Sequence, residues 1–235
     1  MKVFLLAAGK GSRISKKIPD IPKSTLPIQG KPLIQRTVEM LIKRGFEVYV
    51  IAGYRAEHME KVLKPYPVTI LYNPFYDVTN SIASLWFAEK YMTDDECIIA
   101  NADVYWSEEM LNFILQQKRE VFMLSDVTRK KDGDYFFQIN HNQEIVKYGK
   151  ELCLEERSAE YVGIAYLNRS MVQEFKIRLL SMIHHQNHGV WWENVLYSMI
   201  PEKPIYAVDV EGRFWAEIDF IEDYQRIIQY VENIE

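Results

Sequence analysis

The residues with the most chemical potential stand near the start of the chain. An apolar run from Val3 to Ala7 leads into Ala8-Gly9-Lys10-Gly11-Ser12-Arg13, and Ile21-Pro22-Lys23 follows. Gly9 and Gly11 let backbone N–H groups turn toward an anion with no Cβ in the way. Arg13 offers a two-pronged fork to phosphate oxygens, and Lys23 adds a point charge. A Gly-X-Gly pair alone also serves simple turns. The dinucleotide fingerprint is excluded, because Ile14 stands where its third glycine belongs, and no stretch supplies the Gly-Lys-Ser/Thr ending of a P-loop.

A second group of residues lies downstream. Asp103 follows the apolar run Cys97 to Ala100, where an aspartate can bind a ligand or cap a helix such as one starting at Ser107-Glu108-Glu109. Trp191, Trp192 and Glu193, with Trp215 and Glu217, combine aromatic faces and carboxylates, which suits a quaternary ammonium. Tryptophans also pack cores. His184, His185 and His188 lack the other usual zinc ligands and read as a solvated polar segment. Arg129-Lys130-Lys131 reads as an exposed loop.

These residues need a scaffold, and the hydrophobic pattern predicts one. Val3 to Ala7, Val48 to Ala52, Val68 to Tyr72 and Cys97 to Ala100 read as strands. Helical spacing joins Leu33, Ile34, Val38, Leu41 and Ile42, and helices are also expected over Arg55 to Leu63 and Ser81 to Tyr91. The order βαβαβαβ implies a parallel sheet covered by helices, which binds ligands at the carboxyl ends of its strands. Further on, Val121 to Asp126, Tyr135 to Ile139, Glu144 to Tyr148, Tyr161 to Leu167 and Ile205 to Val210 read as strands. Asp132-Gly133-Asp134 is a turn signal. Met171 to Ile183, Trp191 to Ile200 and the closing stretch with Ile221, Tyr224, Ile227, Ile228 and Val231 read as helices. No repeat or linker divides residues 1–235, so a single mixed α/β domain is expected.

Composition narrows the function classes. The 235 residues are 48% hydrophobic and 26% charged, enough for a real core and against disorder. A net charge of −5 argues against a general nucleic-acid or anionic-membrane binder. Cys97 and Cys153 are too few for a disulfide scaffold. The apolar start is too short for a signal peptide or a membrane span of roughly 20 residues, so a cytoplasmic protein is expected.

The arrangement Ala-Ala-Gly-X-Gly-Ser-Arg, then Pro-Lys, resembles the signature of nucleotidyltransferases that activate phosphorylated small molecules with an NTP. That family includes sugar-1-phosphate nucleotidyltransferases and bacterial-type cytidylyltransferases of phosphocholine and aminoethylphosphonate. Ala52-Gly53-Tyr54, Thr79-Asn80-Ser81-Ile82-Ala83-Ser84-Leu85, Asn101-Ala102-Asp103, Trp191-Trp192-Glu193-Asn194 and Glu217-Ile218-Asp219 extend the resemblance in the family's order. It implies a Rossmann-like fold, with a mixed, mostly parallel sheet flanked by helices and a small acceptor-binding subregion. Residues 1–126 would mainly bind nucleotide, and 127–235 mainly the acceptor and the second metal ligand.

The resemblance further implies Lys23 on the α-phosphate and Arg13 on the β- and γ-phosphates. Ala8, Gly9, Lys10, Gly11 and Ser12 would wrap the triphosphate, and Leu6, Ala7, Gly53, Asn80, Ser81 and Ala102 would complete the nucleotide site. Asp103 and Asp219 would hold Mg²⁺. Trp191, Trp192, Glu193, Trp215 and Glu217 would take the acceptor. The implied reaction joins CTP and phosphocholine to give CDP-choline, for a bacterial surface glycan or lipid. Alternatives are another phosphorylated amine, phosphonate or amide, a sugar 1-phosphate with UTP or dTTP, or a noncatalytic nucleotide sensor. A monomer or homodimer without nucleic-acid or membrane partners is expected.

Overall fold

The computed structural model describes residues 1–11, 13–14, 20–131 and 133–234. In chain order, β1 (Lys2–Ala7) precedes a 3-10 turn at Lys23–Thr25 and the short strands β2 (Pro27–Ile28) and β3 (Lys31–Pro32). Then come α1 (Leu33–Lys43), β4 (Glu47–Ala52), α2 (Ala56–Leu63), β5 (Thr69–Tyr72) and α3 (Ser81–Phe87). β6 (Cys97–Asn101), β7 (Val104–Trp106), α4 (Glu108–Gln116) and β8 (Val121–Asp126) follow. The second half holds β9 (Phe136–Ile139), β10 (Ile145–Gly149), β11 (Ala159–Leu167), α5 (Arg169–His184), α6 (Asn194–Tyr197), β12 (Tyr206–Asp209), β13 (Trp215–Glu217) and α7 (Ile221–Ile234).

The sheet is mixed and mostly parallel. β5, β4, β1 and β6 lie side by side in parallel, β11 runs against β6, and β8 and β12 run parallel to each other beyond it. The β9–β10 hairpin joins at the start of β11. Alternation along β1 explains the layering. Val3 and Leu5 pack with Ile34, Val38 and Leu41 of α1, while Phe4 packs with Ile82 and Leu85 of α3 and Phe175 of α5. A third cluster holds α7 through Ile227 and Val231 against Leu26, Ile28 and Ile218, which anchors the segment bearing Lys23.

Three differences from the sequence reading have physical causes. The helix expected over 191–200 is restricted to α6, because its approach is tied to α3: Ile82 and Trp192 N–H groups donate to the Val190 carbonyl and Ser81 Oγ. The helix expected from Ser81 to Tyr91 breaks into α3 and a 3-10 turn at Glu89–Tyr91. α4 was visible in sequence only as its capped start; Ser107 Oγ accepts from Met110 N–H at 3.3 Å, and Leu111 and Ile114 are buried.

Candidate active site

Two three-residue strands bring the distant aspartates together. β13 pairs antiparallel with β7, Glu217 opposite Val104, and Ile218 N–H donates to the Asp103 carbonyl at 3.0 Å. Asp103 and Asp219 thereby flank one point at the carboxyl end of β6. Lys23 fills it: its Nζ lies 2.6 Å from Asp103 Oδ2 and 2.9 Å from Asp219 Oδ1, with the side chain only 11% exposed. Burial opposes its charge, yet Asp103, Asp219 and Glu217 outweigh that and raise the Lys23 pKa, so it stays protonated. Gly11 makes room for it. Its φ is +66°, and an added Cβ would meet Lys23 Cδ at 2.5 Å.

A cleft of about 240 Å³ opens beside this centre. Leu6, Ala7, Ala8, Gly9, Gly11 and Lys23 line one wall, and Asn80, Ser81, Ala102 and Asp103 lie on the rest with Trp191, Glu193 and Glu217. Asn80 also caps α3, its Oδ1 accepting from Ser81 N–H at 2.8 Å. A second cavity, about 130 Å³, adjoins the first and shares Asn101, Trp191, Glu193 and Glu217 with it. Its remaining wall is largely aromatic, from Tyr135, Tyr161 and Tyr197. Arg13, Asp134, Lys150 and Asp219 form its charged rim, where Arg13 reaches Asp219 at 2.5 Å and Asp134 at 3.1 Å.

The carboxyls between the two spaces are unusual. Burial pushes Glu193 up to about 8, against the opposing hydrogen bond from Asn101. Glu217 is raised well above the usual carboxylate range by burial and by the negative charges of Asp103 and Asp219. Tyr161 is buried, and its hydroxyl has no hydrogen-bond partner among the described residues.

Several sequence-predicted residues stand elsewhere. Trp192 is fully buried behind the cleft, its Nε1 donating to Asn101 Oδ1 at 3.0 Å, so it braces the wall and lines neither space. Trp215 is buried and lines neither space; it borders a neighbouring cavity with Glu217 and Asp219, its Nε1 donating to Asp126 at 2.9 Å with the Arg129 guanidinium over its ring. Both corrections have one cause: residue type alone does not reveal which face the chain turns inward. Trp191, 42% exposed, is the tryptophan at both mouths. Gly53 lies behind the cradle, where a Cβ would strike the Ala8 carbonyl at 2.8 Å. Lys10 points away from the cleft toward the Tyr54 ring. Arg13 borders the second cavity and not the first. Ser12 lies outside the described residues, as does Asp132 of the turn signal. The sequence reading missed Tyr135, Tyr161 and Tyr197 as lining residues. Only Tyr135 carried a signal, next to the acidic turn; Tyr161 and Tyr197 stand in apolar segments that read as core.

The donor set suits a hard divalent cation. Two carboxylates already converge on one cation, the Lys23 ammonium, and Mg²⁺ commonly takes one or two carboxylates and completes its shell with phosphate oxygens and water. Among the described residues no group of three or more His, Cys, Asp or Glu forms a self-sufficient metal cage. No described helix is long and apolar enough to cross a membrane.

A Rossmann-like sheet with a glycine cradle, a buried lysine and paired aspartates at its strand ends defines a nucleotidyltransferase. Residues 3–159 match the MobA-like NTP transferase domain, and the chain belongs to that family. The choline-phosphate cytidylyltransferase of Streptococcus pneumoniae is 22% identical over 242 residues, covering 99% of each chain. The CTP:phosphoglutamine cytidylyltransferase of Campylobacter jejuni is 26% identical and covers 96% of this chain and 98% of its own. Among solved structures, the CTP:phosphocholine cytidylyltransferase from Streptococcus pneumoniae superposes with a TM-score of 0.80 at 20% identity over 98% of both chains, which shows a shared fold.

Proposed function

We propose that the protein is a magnesium-dependent cytidylyltransferase. It joins CTP to a small phosphorylated acceptor that carries a cation at its other end, the class that includes phosphocholine and phosphorylated primary amines. One observation carries this reading: the glycine-walled cleft and the aromatic, acidic cavity meet at Asn101, Trp191, Glu193 and Glu217, beside the Asp103–Lys23–Asp219 centre. Residues 1–126 supply most of the nucleotide side, and 127–235 most of the acceptor side. The names of the two relatives above favour cytidine as the base.

In the proposed reaction an acceptor phosphate oxygen attacks the α-phosphorus in line. The bond from that phosphorus to the β-bridging oxygen breaks, and pyrophosphate leaves. The acceptor phosphate is already ionised, so no base is required. Two anions must approach, and positive charge at the α-phosphate is the main requirement. Lys23, kept protonated by its carboxylate neighbours, supplies that charge. Asp103 and Asp219 would hold Mg²⁺, which when bound would supply Lewis-acid charge neutralisation. Gly9 and Gly11 leave backbone N–H groups accessible to the triphosphate, and Trp191 with Glu193 receives the acceptor's cation.

Pyrophosphate release tests the reading across a panel of CTP, UTP, dTTP, ATP and GTP against phosphocholine, phosphoethanolamine, aminoethylphosphonate and glucose 1-phosphate. Turnover only with CTP and a phosphorylated or phosphonate cation is expected. Turnover with a sugar 1-phosphate and UTP or dTTP instead would overturn it.

A further inference from the structure

The second cavity is walled by two tyrosines whose hydroxyl hydrogen bonds go unmade. Tyr161 lines it and is 7% exposed; its hydroxyl, like that of neighbouring Tyr197, is shielded from solvent and has no hydrogen-bond partner among the described residues. It sits where β11 slips register, between Tyr161 and Ala165. Gly163 there has φ +90°, and a Cβ on it would meet Val104 at 2.9 Å and Asn101 at 3.2 Å. The strand is thus drawn close against the end of β6 and the start of β7. The Tyr161 ring is buried and packs 5.4 Å from the Phe137 ring, which keeps it within the wall.

Its surroundings say what kind of group it can meet. Tyr135, Tyr197 and Trp191 supply aromatic faces around it, with Tyr135 and Trp191 meeting edge to face at 5.7 Å. Glu193 and Glu217 line the same space. Faces and carboxylates alone would accept any cation. A buried oxygen without a partner is different, because leaving it unmatched costs free energy whenever the ligand cannot hydrogen-bond. A trimethylammonium group presents only C–H bonds. A primary ammonium presents three N–H donors, enough for the Tyr161 oxygen and a carboxyl oxygen together.

We propose that Tyr161 makes the acceptor site selective for a primary ammonium head group over a quaternary one. This rests on the reading of the second cavity as the acceptor site. Of the two head groups the sequence left open, a quaternary or a primary ammonium, it selects the second, on a hydroxyl that residue types alone do not show. Sites built to hydrogen-bond a ligand discriminate strongly against analogues that lack the bond.

The experiment compares phosphoethanolamine with phosphocholine in the wild type and in Tyr161→Phe, which keeps the ring. Each pair is measured twice, by turnover with CTP and by calorimetric binding to the nucleotide-free protein. The wild type should favour phosphoethanolamine by about tenfold or more in kcat/KM and in Kd. Tyr161→Phe should lose most of that preference through weaker phosphoethanolamine binding, with the KM for CTP, phosphocholine binding and the thermal midpoint unchanged. Equal or better use of phosphocholine by the wild type would overturn the proposal. So would equal weakening of both acceptors in Tyr161→Phe, or the absence of binding of either. Absent turnover with every nucleotide, alongside Tyr161-dependent amine binding, would instead overturn cytidylyl transfer and leave the head-group assignment standing.

Discussion

Ile218 donates its backbone N–H to the carbonyl of Asp103 at 3.0 Å, and this bond sets Asp219 beside Asp103. The two carboxylates repel each other, and the Lys23 ammonium between them offsets that repulsion. The arrangement is a preformed cation site whose resident charge belongs to the chain itself. Replacing Lys23 by Met should therefore lower kcat by on the order of 100-fold or more, the loss expected when a charge aimed at a reacting phosphoryl group is removed. Steady-state pyrophosphate release measures it, and normal kcat would remove Lys23 from the mechanism.

Gly11→Ala tests the cradle without touching a charge. The new methyl meets a backbone φ of +66° and the Lys23 stem at 2.5 Å. The left-handed conformation alone costs an L-residue about 1–2 kcal/mol. A lower thermal midpoint and a reduced kcat are expected, with the acceptor KM little changed. Wild-type kinetics would show that Lys23 does not depend on this approach.

Glu193 gives the acceptor step a pH dependence with a defined sign. Burial pushes its carboxyl up to about 8, so it is mostly neutral below that pH and anionic above it. A cationic acceptor favours the anion. Its KM should fall as pH rises from about 6 to 8 and level off beyond, and Glu193→Gln should flatten that profile. The stability linkage runs the other way. A carboxyl raised above its unfolded value of 4.5 binds more protons folded than unfolded, so its contribution declines as pH climbs from about 4.5 to 8. Thermal midpoints across that window, compared with those of Glu193→Gln, check the sign.

The adjacent tryptophans should separate cleanly. Trp191→Ala removes a ring at the mouths of both spaces and should raise the acceptor KM with little change in stability. Trp192→Ala empties a fully buried site and strands the Asn101 oxygen, at a cost of about 3–5 kcal/mol. Thermal midpoints alongside KM values for CTP and acceptor distinguish the two. A large stability loss in Trp191→Ala would contradict this division.

The strands β1, β4 and β6 were legible because burial on both faces leaves continuous apolar runs. Lys23, Asp103 and Asp219 stood out through their surrounding motifs. Their convergence came only from the family resemblance and not from the pattern, since it depends on β7 pairing with β13, and three residues are too few for any periodicity. The tyrosines of the second cavity were hidden for another reason. Tyr161 sits in a strand buried along its length, where it reads as ordinary packing. Only the register slip at Gly163 and the unmatched hydroxyl mark it out. Trp192 and Trp215 were misplaced by the reverse error, because a residue type suited to a cation was taken for a residue that meets one.

The most direct measurement is phosphorus NMR of the protein with CTP, magnesium and phosphoethanolamine, run beside Asp103→Asn and Asp219→Asn. The wild type should convert the acceptor's monoester signal into a pair of diphosphate resonances while pyrophosphate accumulates, and both variants should leave the spectrum nearly unchanged. Wild-type conversion in either variant, or release of inorganic phosphate in place of pyrophosphate, would contradict nucleotidyl transfer at the Asp103–Lys23–Asp219 centre.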